Sequence, residues 1–304
     1  MRWVGLVVTA VVLGAACTDA GAPTRSTATD DAITVGAFNF PESRLLGEVY
    51  GRALEEAGFE VHRAFELGTR EFVEPALERG LVEVVPEYGG SLLTFLTAQP
   101  ASADPVAVAN AVREHLAPRG LTALDPAPAQ DRNVVVVTRD TATELDLTSL
   151  TDLAHVDDRL VLGGPPECPG RPLCLPGLRS TYGLSFARFV PLGESGPVTA
   201  AALASGQVQA AVMFSSDGAI AANDLVALRD DRGLQPAENV TPVVRTEVLD
   251  GFGPRLADTL NAVSAALTTS ALRRLNEAVS IRRRSVAAVA SAWLTAHGLA
   301  GEVG

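Results

Sequence analysis

Val134-Val135-Val136-Val137 is the stretch from which the rest of the chain is read. Four consecutive β-branched residues favour extended backbone, and a run without polar alternation implies a strand covered on both faces. Upstream of it, short apolar runs alternate with helical periodicity. A strand is expected over 33–38. Pro41 then opens a helix, with Glu42 next, in which Leu46, Val49, Tyr50, Ala53 and Ala57 recur at helical spacing before Gly58. Residues 61–65 form the next strand, Thr69 caps a helix carrying Phe72, Val73, Ala76 and Leu77, and 82–85 returns as strand. Helices follow over 91–96 and 106–116. Downstream, strands are expected over 160–162, 187–190, 208–213, 225–228 and 240–245, with helices over 150–154, 176–182, 198–204 and 217–222. Three helices close the chain, over 254–268, 271–279 and 285–297. Such β and α alternation implies parallel sheets covered by helices, here in two series and hence two α/β lobes. Ligands in these architectures bind at the carboxyl ends of the strands.

The first residues have a different character. Met1-Arg2 is followed by the nearly apolar Trp3 to Leu13, then small residues and Cys17, the layout of an export signal too short to span a bilayer permanently. Residues 14–17 resemble a lipobox, with Leu13 one place earlier than usual, which implies a signal over 1–16 and an acylated Cys17. The alternative is an ordinary signal cut near Ala16 that leaves Cys17 free. Residues 17–31 have no large apolar side chain and are expected as a loose tether. The formal charge of −12 argues against nucleic acid as a partner, since phosphate contacts need clustered Lys and Arg. Arg282-Arg283-Arg284 is read as a solvated helix end. Cys168 and Cys174 sit six apart in a proline-rich loop, and an exported chain favours a disulfide there. Zinc is the weaker alternative, because two cysteines without a nearby histidine leave the coordination shell unfilled.

Several segments resemble the glycine betaine/choline-binding proteins of osmoprotectant ABC importers. They are Gly36-Ala37-Phe38-Asn39-Phe40-Pro41-Glu42, Leu67-Gly68-Thr69-Arg70, Val85-Pro86-Glu87-Tyr88-Gly89-Gly90-Ser91, Val137 to Ala142, Ser149 to Ala154, Pro176-Gly177-Leu178 with Tyr182-Gly183, Phe214-Ser215-Ser216-Asp217-Gly218, and Pro242-Val243-Val244-Arg245. Each alone is a weak signal, but eight in order over 33–298 are a strong one. The resemblance implies a two-lobed periplasmic-binding-protein fold, of the Venus-flytrap type II kind, with hinge crossings near Asn133-Val134 and Asn239-Val240. One lobe would hold 32–132 and 239–304, the other 133–238. It also implies an extracytoplasmic binding lipoprotein, held to the membrane by its lipid, that captures a small solute and delivers it to an ABC permease. No cofactor, metal or catalytic group is implied.

Quaternary ammonium ligands are held on aromatic faces by cation–π attraction. Tyr88 occupies the family's cage position, and Phe38, Phe40 and Phe214 follow strands whose ends should face the cleft. Asn39, Thr69 and Ser215 lie in the matching motifs. Other expected tyrosines are absent: Gln130-Asp131-Arg132-Asn133 precedes the first crossing strand, and Glu238-Asn239-Val240-Thr241 precedes Pro242. The site is therefore expected to be more polar than a full aromatic box. Gln130, Asp131, Asn239 and Arg171 are candidates to hydrogen-bond a polar solute, and Glu87 with Asp131 would suit a cationic one. A polar, amino-acid-like ligand, or a sensing lipoprotein without transport, stand as alternatives. An enzyme is disfavoured, because the four histidines are scattered and no nucleophile motif is in register.

Overall fold

A computed structural model describes residues 32–193 and 195–300. The leader expected over 1–16, the tether over 17–31 and the acylated Cys17 lie outside the described residues. The first half supplies β1 (Ala32–Gly36), α1 (Pro41–Glu56), β2 (Glu60–Ala64), α2 (Arg70–Glu78), β3 (Val84–Tyr88), α3 (Gly89–Thr97), α4 (Pro105–Leu116) and β4 (Leu121–Ala123). Next come β5 (Asn133–Thr138), α5 (Arg139–Glu144), α6 (Leu150–Leu153), β6 (Val161–Gly164), α7 (Leu175–Tyr182), β7 (Arg188–Pro191), α8 (Pro197–Ala204), β8 (Ala210–Phe214), α9 (Gly218–Ala222) and β9 (Leu225–Ala227). The chain then returns through β10 (Val240–Arg245), α10 (Thr246–Phe252), α11 (Pro254–Ala266), α12 (Thr269–Asn276), a π-helical turn (Glu277–Ile281) and α13 (Val286–Ala296).

Two five-stranded sheets result, ordered β2-β1-β3-β10-β4 and β7-β6-β8-β5-β9. Both are mixed, which corrects the expectation of purely parallel sheets. β10 runs antiparallel to β3 and β4, and β5 runs antiparallel to β8 and β9. The reason is topological. Each of these strands arrives from the other lobe and enters at the carboxyl end of its new neighbour: Asn133 pairs with Phe214, and Val240 pairs with Tyr88. A strand entering there has to run the opposite way. The two entry points are themselves bridged, Gln130 to Asn239.

Pro242 sits inside a strand with neighbours on both sides, where a missing N–H usually costs a ladder bond. Its carbonyl accepts from the Leu124 N–H on the β4 side (2.9 Å), so its nitrogen faces that side as well. The β3–β10 ladder, where Pro242 stands opposite Pro86, therefore loses no bond to it.

The apolar stripe of α1, Leu45, Leu46, Val49 and Tyr50, packs with Val35, Val84 and Val243 of the first sheet and with Leu260, Leu272 and Leu294 of the closing helices. The valine run behaves as its composition implies: Val135 and Val137 enter one core, and Val136 enters the core on the opposite face. β4, α5 and α10, of three to seven residues, were not expected from the sequence. Gly196 is the N-cap of α8, and the Ser195 hydroxyl binds Asp217.

Candidate functional site

The carboxyl ends of β1 and β3 place three aromatic rings side by side. Phe38 and Phe40 stack at 5.7 Å between centroids with planes 8° apart, and Phe40 meets Tyr88 at 6.0 Å. Phe40 precedes the first turn of α1 and is the exposed member, while Phe38 and Tyr88 are buried. The Arg70 guanidinium lies 5.2 Å from the Phe38 ring centre and pairs with Glu87 at 2.8 Å. Glu87 is fully buried in that pair, and its charge, after burial itself, helps to raise the carboxyl of the neighbouring buried Glu74. Glu87, a residue expected to suit a cationic solute, anchors Arg70 beside the rings through this pair. A buried ion pair of this kind is costly to break, because the survivor is left as an unpaired enclosed charge.

From Tyr88 a polar chain runs across to the second sheet. The Tyr88 hydroxyl donates to Glu42 Oε1 (2.8 Å), and Asn276 Nδ2 donates to Glu42 Oε2 (2.5 Å) and to the Ser216 carbonyl (2.9 Å). The Ser216 hydroxyl donates in turn to Asp131 Oδ1 (2.7 Å). Elements distant in sequence are therefore joined in one network: α1, β3, α12, the turn after β8, and the segment entering β5. Burial, only partly offset by the Ser216, Tyr88 and Asn276 hydrogen bonds, raises the Glu42 carboxyl above its ordinary range. Burial and then the Glu42 charge push Asp131 up to about 8. Tyr88 is held well above 10 by burial and by the neighbouring carboxylates, so it stays a hydroxyl donor.

Gln130, Ser215 and Asn239 belong to the crossing itself. The Ser215 hydroxyl donates to the Gln130 carbonyl (2.7 Å) and accepts from the Arg132 N–H (3.0 Å). Asn239 Nδ2 binds the Ala127 carbonyl (2.7 Å), while its enclosed Oδ1 has no partner among the described residues. Asn239 thus turns inward and ties the hinge. The Thr69 hydroxyl donates to Glu71 and makes no capping bond, although Thr69 does occupy the N-cap position of α2. Asn39 joins Phe40, Arg44 and Glu66 along an outer groove. Phe214 and Arg171 do not join the three rings. They line a concavity on the second sheet with Asn133, Pro165, Glu167 and Ser195, and Arg171 pairs with Glu167 at 2.7 Å. The disulfide Cys168–Cys174, with Cα atoms 5.2 Å apart, closes the loop that carries Arg171.

Glu42, Ser216 and Asn276 were not singled out from sequence. Glu42 reads as an ordinary acidic residue in a first helical turn, and Asn276 as a polar position in the closing helices; only burial marks them. Trp293, on α13, is buried in the core of the first sheet.

Two mixed α/β lobes, joined by antiparallel crossings and carrying aromatic and acidic groups at the strand ends, define a two-lobed solute-binding protein. The chain belongs to the family of substrate-binding domains of ABC-type glycine betaine transport systems, whose model matches residues 31–296. It is 30% identical over 280 residues to the glycine betaine-binding protein YehZ of Escherichia coli (strain K12), a match covering 88% of this chain and 90% of that one. It is 27% identical to a glycine-betaine-binding protein of Pseudomonas aeruginosa, over 88% of this chain and 89% of that one. The crystal structure of a glycine betaine/carnitine/choline ABC transporter superposes with a TM-score of 0.83 at 25% identity, covering 88% of this chain and 99% of that one. Apo YehZ of E. coli superposes with a TM-score of 0.80 at 29% identity, with the same coverage.

Proposed function

We propose that this chain captures a small solute with a cationic headgroup, of the glycine betaine or choline kind, between its lobes and delivers it to an ABC permease. The observation that carries this reading is the ring cluster Phe38, Phe40 and Tyr88 with the carboxylates of Glu42 and Asp131 beside it. Aromatic faces and anionic groups together favour a cation that is shed from water, each ring contributing roughly 0.5–2 kcal/mol. In this reading the ligand bridges the lobes and favours the closed state, with motion about the Gln130–Asn239 crossing. Phe214, Ser215 and Arg171 would supply the second lobe's contacts, and the first lobe would contribute Phe38, Asn39, Phe40, Tyr88, Gln130 and Asp131.

The chain also acts, in this proposal, outside the cytoplasm, tethered by an acylated Cys17. Replacing Cys17 by Ala should move the protein from the membrane fraction to the medium or periplasm; retention of the variant on the membrane would reject the anchor.

The ligand is tested by thermal-shift and calorimetric titration with glycine betaine, choline, carnitine, ergothioneine and basic amino acids. A ligand at a hundred times its Kd adds about 2.7 kcal/mol, enough to move the melting midpoint by several degrees at this size. A response to betaine, choline or carnitine supports the reading. A response to amino acids alone favours the second one, a polar amino-acid-like ligand, for which the low aromatic count and Arg171 speak.

A further inference from the structure

We propose that Glu42 and Asp131 act as one anionic pair that receives the ligand's cationic headgroup, and that the empty pair holds a single proton which leaves as the headgroup binds. This deepens the reading above and rests on it.

Three geometric facts carry the inference. The carboxylates come from elements distant in sequence, Glu42 from α1 and Asp131 from the segment entering β5, and Ser216 and Asn276 link them. Among the described residues, neither has a cationic partner. The nearby cations are committed elsewhere, Arg70 to Glu87 (2.8 Å) and Arg273 to the Ser215 carbonyl (2.5 Å). Finally, Glu42 holds the Tyr88 hydroxyl, so the acid pair and the aromatic wall form one surface.

The remaining charged groups facing the pair deepen the excess of negative charge. Asp217 at the start of α9 acts on Glu42, and Glu238 before β10 acts on Asp131. Tyr88 remains a neutral donor, and desolvation lowers the Arg273 pKa without freeing it from Ser215. Two linked carboxylates, Glu42 buried and Asp131 half-buried, cannot both ionise at low cost without a counter-ion, which agrees with Asp131 being pushed up to about 8. A quaternary ammonium supplies the missing positive charge. The protonated pair, carrying one negative charge, plus the cation gives the doubly ionised pair, the bound cation and one free proton. Glu42 and Asp131 are thereby ligand-binding residues that favour charge over shape, and a neutral isostere of the headgroup should be rejected.

The test is calorimetric titration of the whole chain with choline and with glycine betaine, at pH 6.5, 7.5 and 8.5, in buffers of differing ionisation enthalpy. With Asp131 near 8, one released proton makes the apparent Kd fall by roughly 20–30-fold from pH 6.5 to 8.5. Close to one proton should be released at pH 6.5 and about a quarter of one at pH 8.5. The near-isosteric Asp131→Asn should bind more weakly at pH 8.5 and lose the pH dependence, as should Glu42→Gln. Binding with no proton release and a flat pH profile overturns this inference alone and leaves the proposed ligand class standing. Absence of binding by either probe at every pH overturns both. The proton count on the unmutated protein decides the matter even if a variant fails to fold.

Discussion

Glu74→Gln is expected to stabilise the protein above neutrality and to change it little in mild acid. Glu74 lies on α2, buried, with no well-aligned hydrogen-bond partner for either carboxylate oxygen among the described residues, against the equally buried Glu87. Burial first, and then the Glu87 charge, pushes its carboxyl from 4.5 up to about 8. The folded protein therefore keeps a proton that the unfolded chain gives up at lower pH. Stability from this group is complete below about pH 4.5 and is lost as pH rises to about 8. At about 1.4 kcal/mol per pH unit the interval sets a ceiling near 5 kcal/mol, and the coupling to Glu87 brings the expected effect to roughly 2–3 kcal/mol. Gln keeps the shape and supplies a permanent N–H donor toward Glu87 where the acid needs a proton. Thermal melts of both proteins at pH 5 and pH 8.5 provide the assay. The variant should melt roughly 4–10 °C higher at pH 8.5 and within about 2 °C at pH 5. A difference that does not vary with pH, or a variant that is weaker at pH 8.5, would refute the reasoning.

Three further outcomes are expected. Tyr88→Phe leaves Glu42 Oε1 without its donor in a buried place and should cost about 1–3 kcal/mol in urea unfolding; an unchanged midpoint would deny that the bond is formed. Gly218→Ala would put a methyl 2.6 Å from the Glu277 Cα, so α9 and the π turn must separate, at a cost of about 1–3 kcal/mol read from denaturation, and wild-type stability would refute this close approach. Replacing Cys168 and Cys174 by Ser opens a short loop, and the loss should be about 2 kcal/mol; a Tm unaffected by reductant or by the double substitution would contradict it.

Much of the fold was legible because its long elements repeat apolar residues at a helical or strand period. α1, α4, α11 and α13 follow from that spacing, and the valine run reports a doubly covered strand because all four of its residues are apolar. Strand direction was not legible. The side chains of β10 look the same whichever way it runs, and only its entry beside Tyr88 fixes the orientation. The site divides in the same way. Tyr88, Phe38 and Phe40 sit at strand ends that the pattern marks, and Asp131 stands beside a crossing. The part played by Glu42 depends on α1, α12 and the turn after β8 converging on it, over |i−j| of 234 in the case of Asn276. No local pattern encodes a meeting at that separation. Arg171 and Glu87 show the converse, polar residues of the right type whose nearest charges, Glu167 and Arg70, already engage them.

The position of β10 also bears on how the molecule assembles. It lies between β3 and β4, yet it is made only after every strand of the second sheet has been synthesised. As the chain emerges, the second sheet is drawn from one uninterrupted stretch and has all its partners early. The first sheet has a gap in its interior that closes only when residues 240–245 arrive, and closing so long a loop is slow. The N-terminal strands are thus held in an unfinished state while most of the polypeptide is being made. Pulse-labelled hydrogen exchange during refolding should protect β5, β6 and β8 before β3 and β4, so that the end of the chain sets the moment at which its beginning becomes native.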